Sequence, residues 1–343
     1  MATLRWGFIG CGKISNDFAN ALKAVPGAHL RACAARSLSS AQEFATIHGF
    51  AQAYGSYEEL AADPQVDAVY IGTLHTTHFE HSVLALIHGK HVLVEKPMAM
   101  NAAQAREVLA LAKEKQLFFM EGMWTRFFPA VQFARKVVDD GTIGDVHHVS
   151  ADIGFCFPPE NERIWDRTLG GGGLLDIGIY PLAFVTMVLG GQPEKVSAAG
   201  KLTDGGVDLY GTITLEYSGG RFGAVSYTCA AQMGESVTIV GSKGRVLVHS
   251  PAHVPSRVSV FTNADAQERV SVFPWPEPAA NATPSNFGPT EGFQYEALAV
   301  TASILNKETE NSEYPHAESL AITEIMDKVR AAIGVVYPAD VAN

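Results

Sequence analysis

The first 120 residues alternate short apolar runs with stretches of helical periodicity, and no other feature limits the fold so tightly. Residues 6–9, 30–35, 66–71, 91–94 and 117–120 read as buried strands. Between them, residues 15–23, 39–48, 79–88 and 101–115 carry apolar side chains at helical spacing, as Phe18, Ala21 and Leu22 do in the first. A parallel strand can be reached only by a crossover, so repeated β–α units predict a parallel sheet with helices on both faces.

After about residue 122 the pattern changes. Residues 196–199, 211–217, 221–229, 237–240 and 245–248 read as strands joined by hairpins, with Ser218-Gly219-Gly220 and Gly241-Ser242-Lys243-Gly244 as turns that tolerate positive φ. Residues 274–289 contain five prolines and read as a long ordered loop, while helical spacing returns over residues 292–306 and 317–333. The expected fold class is α/β. Residues 1–122 form a Rossmann dinucleotide-binding domain, and residues 123–343 form an α/β domain with a large open, mainly antiparallel sheet. The length of 343 residues agrees with two domains. The final helix is expected to return towards the first domain.

Gly10-Cys11-Gly12-Lys13-Ile14-Ser15 falls between the first strand and the first helix. Gly10 permits the tight turn, Gly12 lets the backbone approach a pyrophosphate at the helix N-terminus, and Ser15 is small enough for close helix–sheet packing. Lys13 and Ile14 belong to the same loop. An NAD site usually has an acid at the end of the second strand, where it binds the ribose hydroxyls. Here the strand ends Ala34-Ala35-Arg36-Ser37. Arg36 can pair with a 2′-phosphate and Ser37 can add a hydrogen bond, so the expected cofactor is NADP. Thr73, His75 and His78 follow another Rossmann strand, where they cap a helix and border the cofactor.

Glu95-Lys96-Pro97 ends an apolar strand, at the carboxyl edge of the sheet where ligands bind. Lys96 can hold a substrate oxygen or lower the pKa of a neighbouring acid–base group. Further on, Gly170-Gly171-Gly172-Gly173 leads into Leu174–Tyr180, with Asp176 and Tyr180 four apart and so on one helical face. A tyrosine–lysine pair suits alcohol and carbonyl redox chemistry, because the phenol exchanges a proton with the substrate oxygen while hydride moves to or from nicotinamide. A core tyrosine capped by Asp176 is the alternative for this segment.

Taken in order, Gly10-x-Gly12, Glu95-Lys96-Pro97 and the glycine-rich Asp-x-Gly-x-Tyr segment resemble the Gfo/Idh/MocA oxidoreductase family. The likeness sharpens at Glu121-Gly122-Met123-Trp124-Thr125-Arg126-Phe127-Phe128-Pro129 and at Ala332-Ile333-Gly334-Val335-Val336-Tyr337-Pro338. These are similar to the branch with dimeric dihydrodiol dehydrogenases and NADP-dependent D-xylose dehydrogenases. The resemblance implies that Lys96 and Tyr180 are the catalytic pair and that Asp176 orients substrate. It implies that Glu95, Trp124 and Arg126 border the cofactor, and that Trp124 and Phe155 line the substrate pocket, with Phe287 as a further wall. Most of the wider family has histidine where this chain has Tyr180. In mammalian members of the branch a tryptophan is expected near His253, and its replacement here points towards a sugar. The family also implies a homodimer through the C-terminal sheet.

The net charge of −11, without a Lys/Arg-rich run, argues against nucleic acid as a partner. Cys11, Cys33, Cys156 and Cys229 are scattered and read as reduced thiols of a cytoplasmic protein. No signal segment is read at Met1-Ala2-Thr3, and no apolar run is read as reaching the roughly 18 residues that span a bilayer. His75, His78 and His81 share a spacing of three but are read as capping a helix beside the cofactor, with no acidic or thiol ligand read alongside, so no metal is expected. A dinucleotide-binding redox sensor has no use for both Lys96 and Tyr180, and an NAD-dependent glycosidase is at odds with Arg36-Ser37. The expected activity is therefore NADP-dependent oxidation of a hydroxyl on an aldose or a trans-dihydrodiol.

Overall fold

The computed structural model describes residues 3–265 and 267–341. The chain divides into two compact units. The first holds β1 (Leu4–Ile9), α1 (Lys13–Leu22), β2 (Ala28–Ala34), α2 (Leu38–His48), β3 (Gln52–Tyr54), α3 (Tyr57–Ala62), β4 (Ala68–Ile71), α4 (His78–Ile87), β5 (His91–Glu95), α5 (Ala102–Lys115) and β6 (Phe119–Gly122). Its six strands are ordered β3-β2-β1-β4-β5-β6, with every pair parallel. This is the doubly wound order, and strand order reverses between β1 and β4, where the crevice for a ligand opens. The short β3 has no apolar run of its own and was not legible in the sequence; its burial pattern has no fully buried residue.

The second unit holds α6 (Pro129–Asp139), β7 (Val146–Gly154), α7 (Glu162–Trp165), α8 (Ile179–Leu189), β8 (Lys195–Leu202), β9 (Asp208–Tyr217), β10 (Arg221–Thr228), β11 (Val237–Gly241), β12 (Gly244–Val248), β13 (Arg257–Thr262) and β14 (Arg269–Val272). The eight strands are ordered β14-β13-β12-β11-β7-β10-β9-β8, antiparallel except for β7 beside β10. Gly219 and Gly220 have φ of 72° and 73° in the β9–β10 turn, the left-handed pair that a tight hairpin needs. Along β9 the buried residues Ile213, Leu215 and Tyr217 alternate with exposed Thr212, Thr214 and Glu216, so one face is core and the other is open. Helix α8 packs on the core face against β7 and β10.

The expected division after residue 122 differs from the observed one in three places, the first being that residues 100–102 group with the second unit. The first unit extends to Phe127, and residues 275–316, including α9 (Phe293–Leu305), belong to it. Aromatic packing explains the return. Phe293 stacks on Trp124 at 4.1 Å between ring centroids and meets Phe18 of α1 edge-on at 5.8 Å. Phe18 is itself stacked on Tyr70 of β4 at 4.1 Å. The last long helix, α10 (His316–Ile333), lies with the second unit.

The stretch Arg167–Leu189 corrects the reading that no run is long and apolar enough to cross a membrane; it passes on length and composition, yet 89% of its apolar window is buried. It is the central helix of a packed unit, hydrophobic nearly all round because neighbours cover every side.

His48 closes α2 and packs on Phe44 at 4.4 Å, with both ring nitrogens buried and unpartnered. A helix C-terminus favours a cation, but burial and the Lys23 charge prevail, and the pKa falls to about 4. The native state therefore refuses a proton that the unfolded chain accepts below about pH 6.5. Stability should be full above pH 6.5 and fall as the pH drops towards 4. His48→Leu should reduce the loss between pH 7 and pH 5 by about 2 kcal/mol. Urea unfolding at the two pH values measures this, and parallel curves for the two proteins would refute it.

Candidate active site

In the first unit the β1–α1 turn has the form a dinucleotide phosphate requires. Gly10 has φ of +95°, and a Cβ there would lie 2.9 Å from Thr73 Cγ2. Gly12 is the N-cap of α1 and supplies no capping side chain, so the helix begins with backbone N–H groups open to an anion. Ser15 is fully buried against Gly72, the contact for which its small size is needed. Lys13 and Ile14 open the helix. Arg36 and Ser37 are exposed just beyond β2. Ser37 also has a local task, because its Oγ accepts from Ser40 N at 3.3 Å and caps α2. Glycine cradle, open helix end and basic strand end together fit a nicotinamide dinucleotide with a 2′-phosphate.

The β4–α4 connection is tied to the end of β5. His78 Nδ1 lies 2.8 Å from the Pro97 carbonyl and Nε2 lies 3.1 Å from the Thr73 carbonyl. Burial lowers the His78 pKa to about 3, so the ring is neutral and donates through one nitrogen at a time. His78 thus sits between two backbone carbonyls and donates to one of them, according to its tautomer. Thr73 Oγ1 contacts His81 Nδ1 at 3.0 Å, and His75 is buried. Among the described residues no three His, Cys, Asp or Glu side chains form a metal-like group.

Glu95 turns into the core, where it accepts from Tyr70 Oη at 2.8 Å, and burial raises its pKa. Lys96 follows it, half-buried, and the Lys96–Pro97 peptide is cis. The chain beyond is fixed by Glu121, whose carboxylate accepts from Met98 N at 2.8 Å and from Tyr314 Oη at 2.9 Å. Arg126 is buried, donates to the Glu313 carbonyl at 3.0 Å and lies over the Tyr314 ring. Trp124 is buried against Phe293. Phe287 lies on the proline-rich segment and is 47% exposed. Its backbone N–H donates to buried Asp17 of α1 at 2.9 Å, and Asn286 N donates to the same carboxylate. Sequence reasoning missed Glu296, a fully buried acid of α9 with both oxygens unpartnered, whose carboxyl burial pushes well above the usual carboxylate range.

In the second unit the glycine-rich approach ends in a π-helical turn, Leu174–Gly178, which runs into α8. The expected simple helix is thus widened at Asp176, a distortion frequent at functional sites. Gly172 has φ of +124°, and the Leu174 N–H is captured by buried Asp208 at 2.6 Å. Asp176 and Tyr180 are both buried. Arg163 of α7 grips the Asp176 carboxylate with two bonds, of 2.7 and 3.1 Å. Tyr180 has the His253 ring beside it, 5.6 Å between centroids, and Phe155 meets that ring edge-on at 5.9 Å. The second unit therefore brings Phe155, Asp176 and Tyr180 of the expected set together, and adds Arg163, Glu235 and His253. Arg163 lies in a polar segment without periodicity, so nothing in the sequence marked it.

The chain matches the model of the oxidoreductase family with NAD-binding Rossmann fold over residues 4–123 and the GFO/IDH/MocA C-terminal domain over residues 131–247. It is 42% identical over 340 residues to trans-1,2-dihydrobenzene-1,2-diol dehydrogenase of Bos taurus, covering 98% of this chain and 99% of that one. With the human protein of the same name it shares 41% over 342 residues, again 98% and 99%. Among solved structures, a 3-ketoreductase from Actinomadura kijaniata in complex with NADP and TDP-benzene superimposes with a TM-score of 0.83 at 26% identity, covering 96% of this chain and 98% of that one. A levoglucosan dehydrogenase shares the fold, with a TM-score of 0.85 at 21% identity and 97% of each chain covered. On both its domains and its full-length relatives, the chain belongs to the Gfo/Idh/MocA oxidoreductase family.

Proposed function

We propose that this oxidoreductase moves hydride between NADP and a hydroxyl-bearing carbon of a small polyhydroxylated molecule, an aldose or a cyclic trans-diol. One observation carries the reading. Tyr180 shares a buried polar group with Asp176 and Arg163, in a chain whose relatives along 98% of its length are named trans-1,2-dihydrobenzene-1,2-diol dehydrogenase. The bound dinucleotide supplies the nicotinamide carbon that takes or gives the hydride. Tyr180 exchanges the proton of the reacting hydroxyl, as a phenol beside a cationic group can near neutral pH. Asp176, held in one orientation by its two-point contact with Arg163, accepts a hydrogen bond from the substrate.

Lys96 is assigned as the second catalytic residue. Solved structures of the 3-ketoreductase include a lysine-to-alanine and a tyrosine-to-phenylalanine variant. Those two positions are as far apart in its sequence as Lys96 and Tyr180 are in this one. The preference for NADP rests on Arg36 at the end of β2, where no acid stands. Glu95, Thr73, His75, Trp124 and Arg126 are assigned to the cofactor's surroundings, with Trp124, Phe155 and Phe287 as apolar substrate walls. The protein acts as a homodimer through the open face of the eight-stranded sheet, where Tyr210 and Phe222 are 43% and 41% exposed.

Three measurements test these assignments. Tyr180→Phe should lower turnover by about 10²–10⁴-fold and leave NADPH binding nearly unchanged. The absorbance of reduced nicotinamide, followed with D-xylose, D-glucose, myo-inositol and a trans-dihydrodiol, reads this, and near-wild-type rates would sink the assignment. Arg36→Ala should weaken NADP binding by about tenfold or more while NAD binding hardly moves; equal losses in fluorescence titrations would remove the 2′-phosphate role. Sedimentation over a concentration series should find a dimer, and a monomer throughout would overturn the proposed interface.

A further inference from the structure

Glu235 has a backbone conformation that a residue with a side chain rarely adopts. Its φ is +53°, in the left-handed region, although Gly234 next to it would enter that region without cost. Several bonds hold it there. Its N–H donates to Asp152 Oδ2 at 2.7 Å, and its carbonyl accepts from Ala252 N at 3.2 Å. Its carboxylate accepts from His253 N at 3.3 Å and also meets His253 Nδ1. Strain of this kind persists only where the surroundings over-determine it, and it gathers at sites that must hold a group in place.

The group held here is the His253 imidazole. The Glu235 side chain is 3% exposed and the His253 side chain is 18% exposed, so the acid is sealed in while the ring reaches an open surface. A core histidine pinned by a core acid would have both members sealed. The ring stands between Tyr180 and Phe155, 5.6 and 5.9 Å from their ring centroids. A hollow of about 10 Å³ borders the ring, lined by Asp152, Tyr180, Phe184, Glu235 and His253, and is too small for a substrate. The carboxylate at Nδ1 fixes the tautomer and the plane of the ring, and directs the Nε2 edge away from Glu235.

We propose that Glu235 and His253 form a substrate-recognition element, in which the fixed imidazole takes a ring hydroxyl two carbons from the one that reacts at Tyr180, a position that a sugar fills with a hydroxyl and a trans-1,2-dihydrodiol does not. This rests on the assignment of Tyr180 as the proton-exchanging group. His253 is then a binding residue and Glu235 a positioning residue that acts through it. Nδ1 donates to the buried carboxylate, and Nε2 accepts from a substrate hydroxyl. The element favours a ring that carries hydroxyls along its edge, such as a sugar, over one that offers apolar CH groups there. A site built to hydrogen-bond a hydroxyl discriminates against a substrate that offers a CH group in its place.

The test compares kcat/KM for D-xylose and for trans-1,2-dihydrobenzene-1,2-diol, with NADP+, in the wild-type protein and in His253→Phe, His253→Gln and Glu235→Gln. His253→Phe should lower the xylose-to-diol ratio about tenfold or more, through the KM for xylose and not through kcat. His253→Gln, which keeps a polar atom near Nε2, should restore most of the ratio. Glu235→Gln should shift it in the same direction as His253→Phe but by less. Should His253→Phe fail to fold, the other two variants carry the comparison. An unchanged ratio, or equal losses on both substrates, would overturn the inference and leave the pair a packing role. Tyr180→Phe in the same assay separates the two claims. If that variant is dead and the ratio is unmoved, only the recognition element fails. If it stays active, or the wild-type protein turns over neither substrate, the proposed function falls and takes this inference with it.

Discussion

Buried and half-buried carboxylates that accept backbone N–H groups hold the irregular segments on which the candidate site residues lie. Outside helices and sheets a buried N–H has no built-in partner, and leaving it unpaired costs about 1–3 kcal/mol. A carboxylate offers two oxygens to such donors, and the bonds it accepts are stronger than neutral ones. Asp17 captures Asn286 and Phe287, Glu121 captures Met98, and Asp208 captures Leu174. Asp152 captures Glu235 and Ser236, and Glu235 captures His253. Desolvation opposes each arrangement, and at Asp208 it prevails enough to raise the pKa despite the bond from Leu174. These acids exchange stability for a fixed loop geometry.

That division explains what could be read in advance. The parallel strands β1, β2, β4 and β5 were legible because a sheet buried on both faces writes itself as continuous apolar runs, as in Ala68–Ile71. The hairpin turn at Ser218–Gly220 was legible because two successive positive φ values call for glycine. The β1–α1 cradle was legible for the same steric reason at Gly10. The first unit's claim on residues 275–316 was not, because the helical periodicity of α9 marks a buried face without saying which unit that face meets, and the partners of Phe293 lie far away in the sequence. The π-helical turn at Leu174–Gly178 was also hidden, since it is imposed from outside by Asp208 and not by the propensities of its own residues.

Of the candidate site, the members proposed on short β–α turns carry a sequence motif, and the residues that pair with others do not. Asp176 was visible by its spacing from Tyr180, but Arg163, which sets its orientation, precedes it by 13 residues without a motif. His253 was visible only as a departure from a likeness. Its partner Glu235 lies 18 residues away across a loop and drew no notice, because an ordinary acid in a left-handed conformation leaves no compositional mark.

The dinucleotide cradle of the first unit and the proposed substrate wall of the second are built with different freedom to vary. The dinucleotide cradle is set by sterics: a side chain at Gly10 would collide with Thr73, and one at Gly72 would collide with Ser15 and Tyr70. Such positions admit almost no substitution without moving a strand. The proposed substrate wall is set by pairs instead. Arg163 orients Asp176, and Glu235 orients His253, each from a segment joined to the sheet but not part of its ladder. A pair can change both members and leave the backbone in place, since the backbone is held by separate bonds such as those of Asp152 and Asp208. One fold can therefore keep its hydride chemistry constant and alter the molecule on which it acts. The physical reason is that close packing fixes the first function, while replaceable polar contacts decide the second.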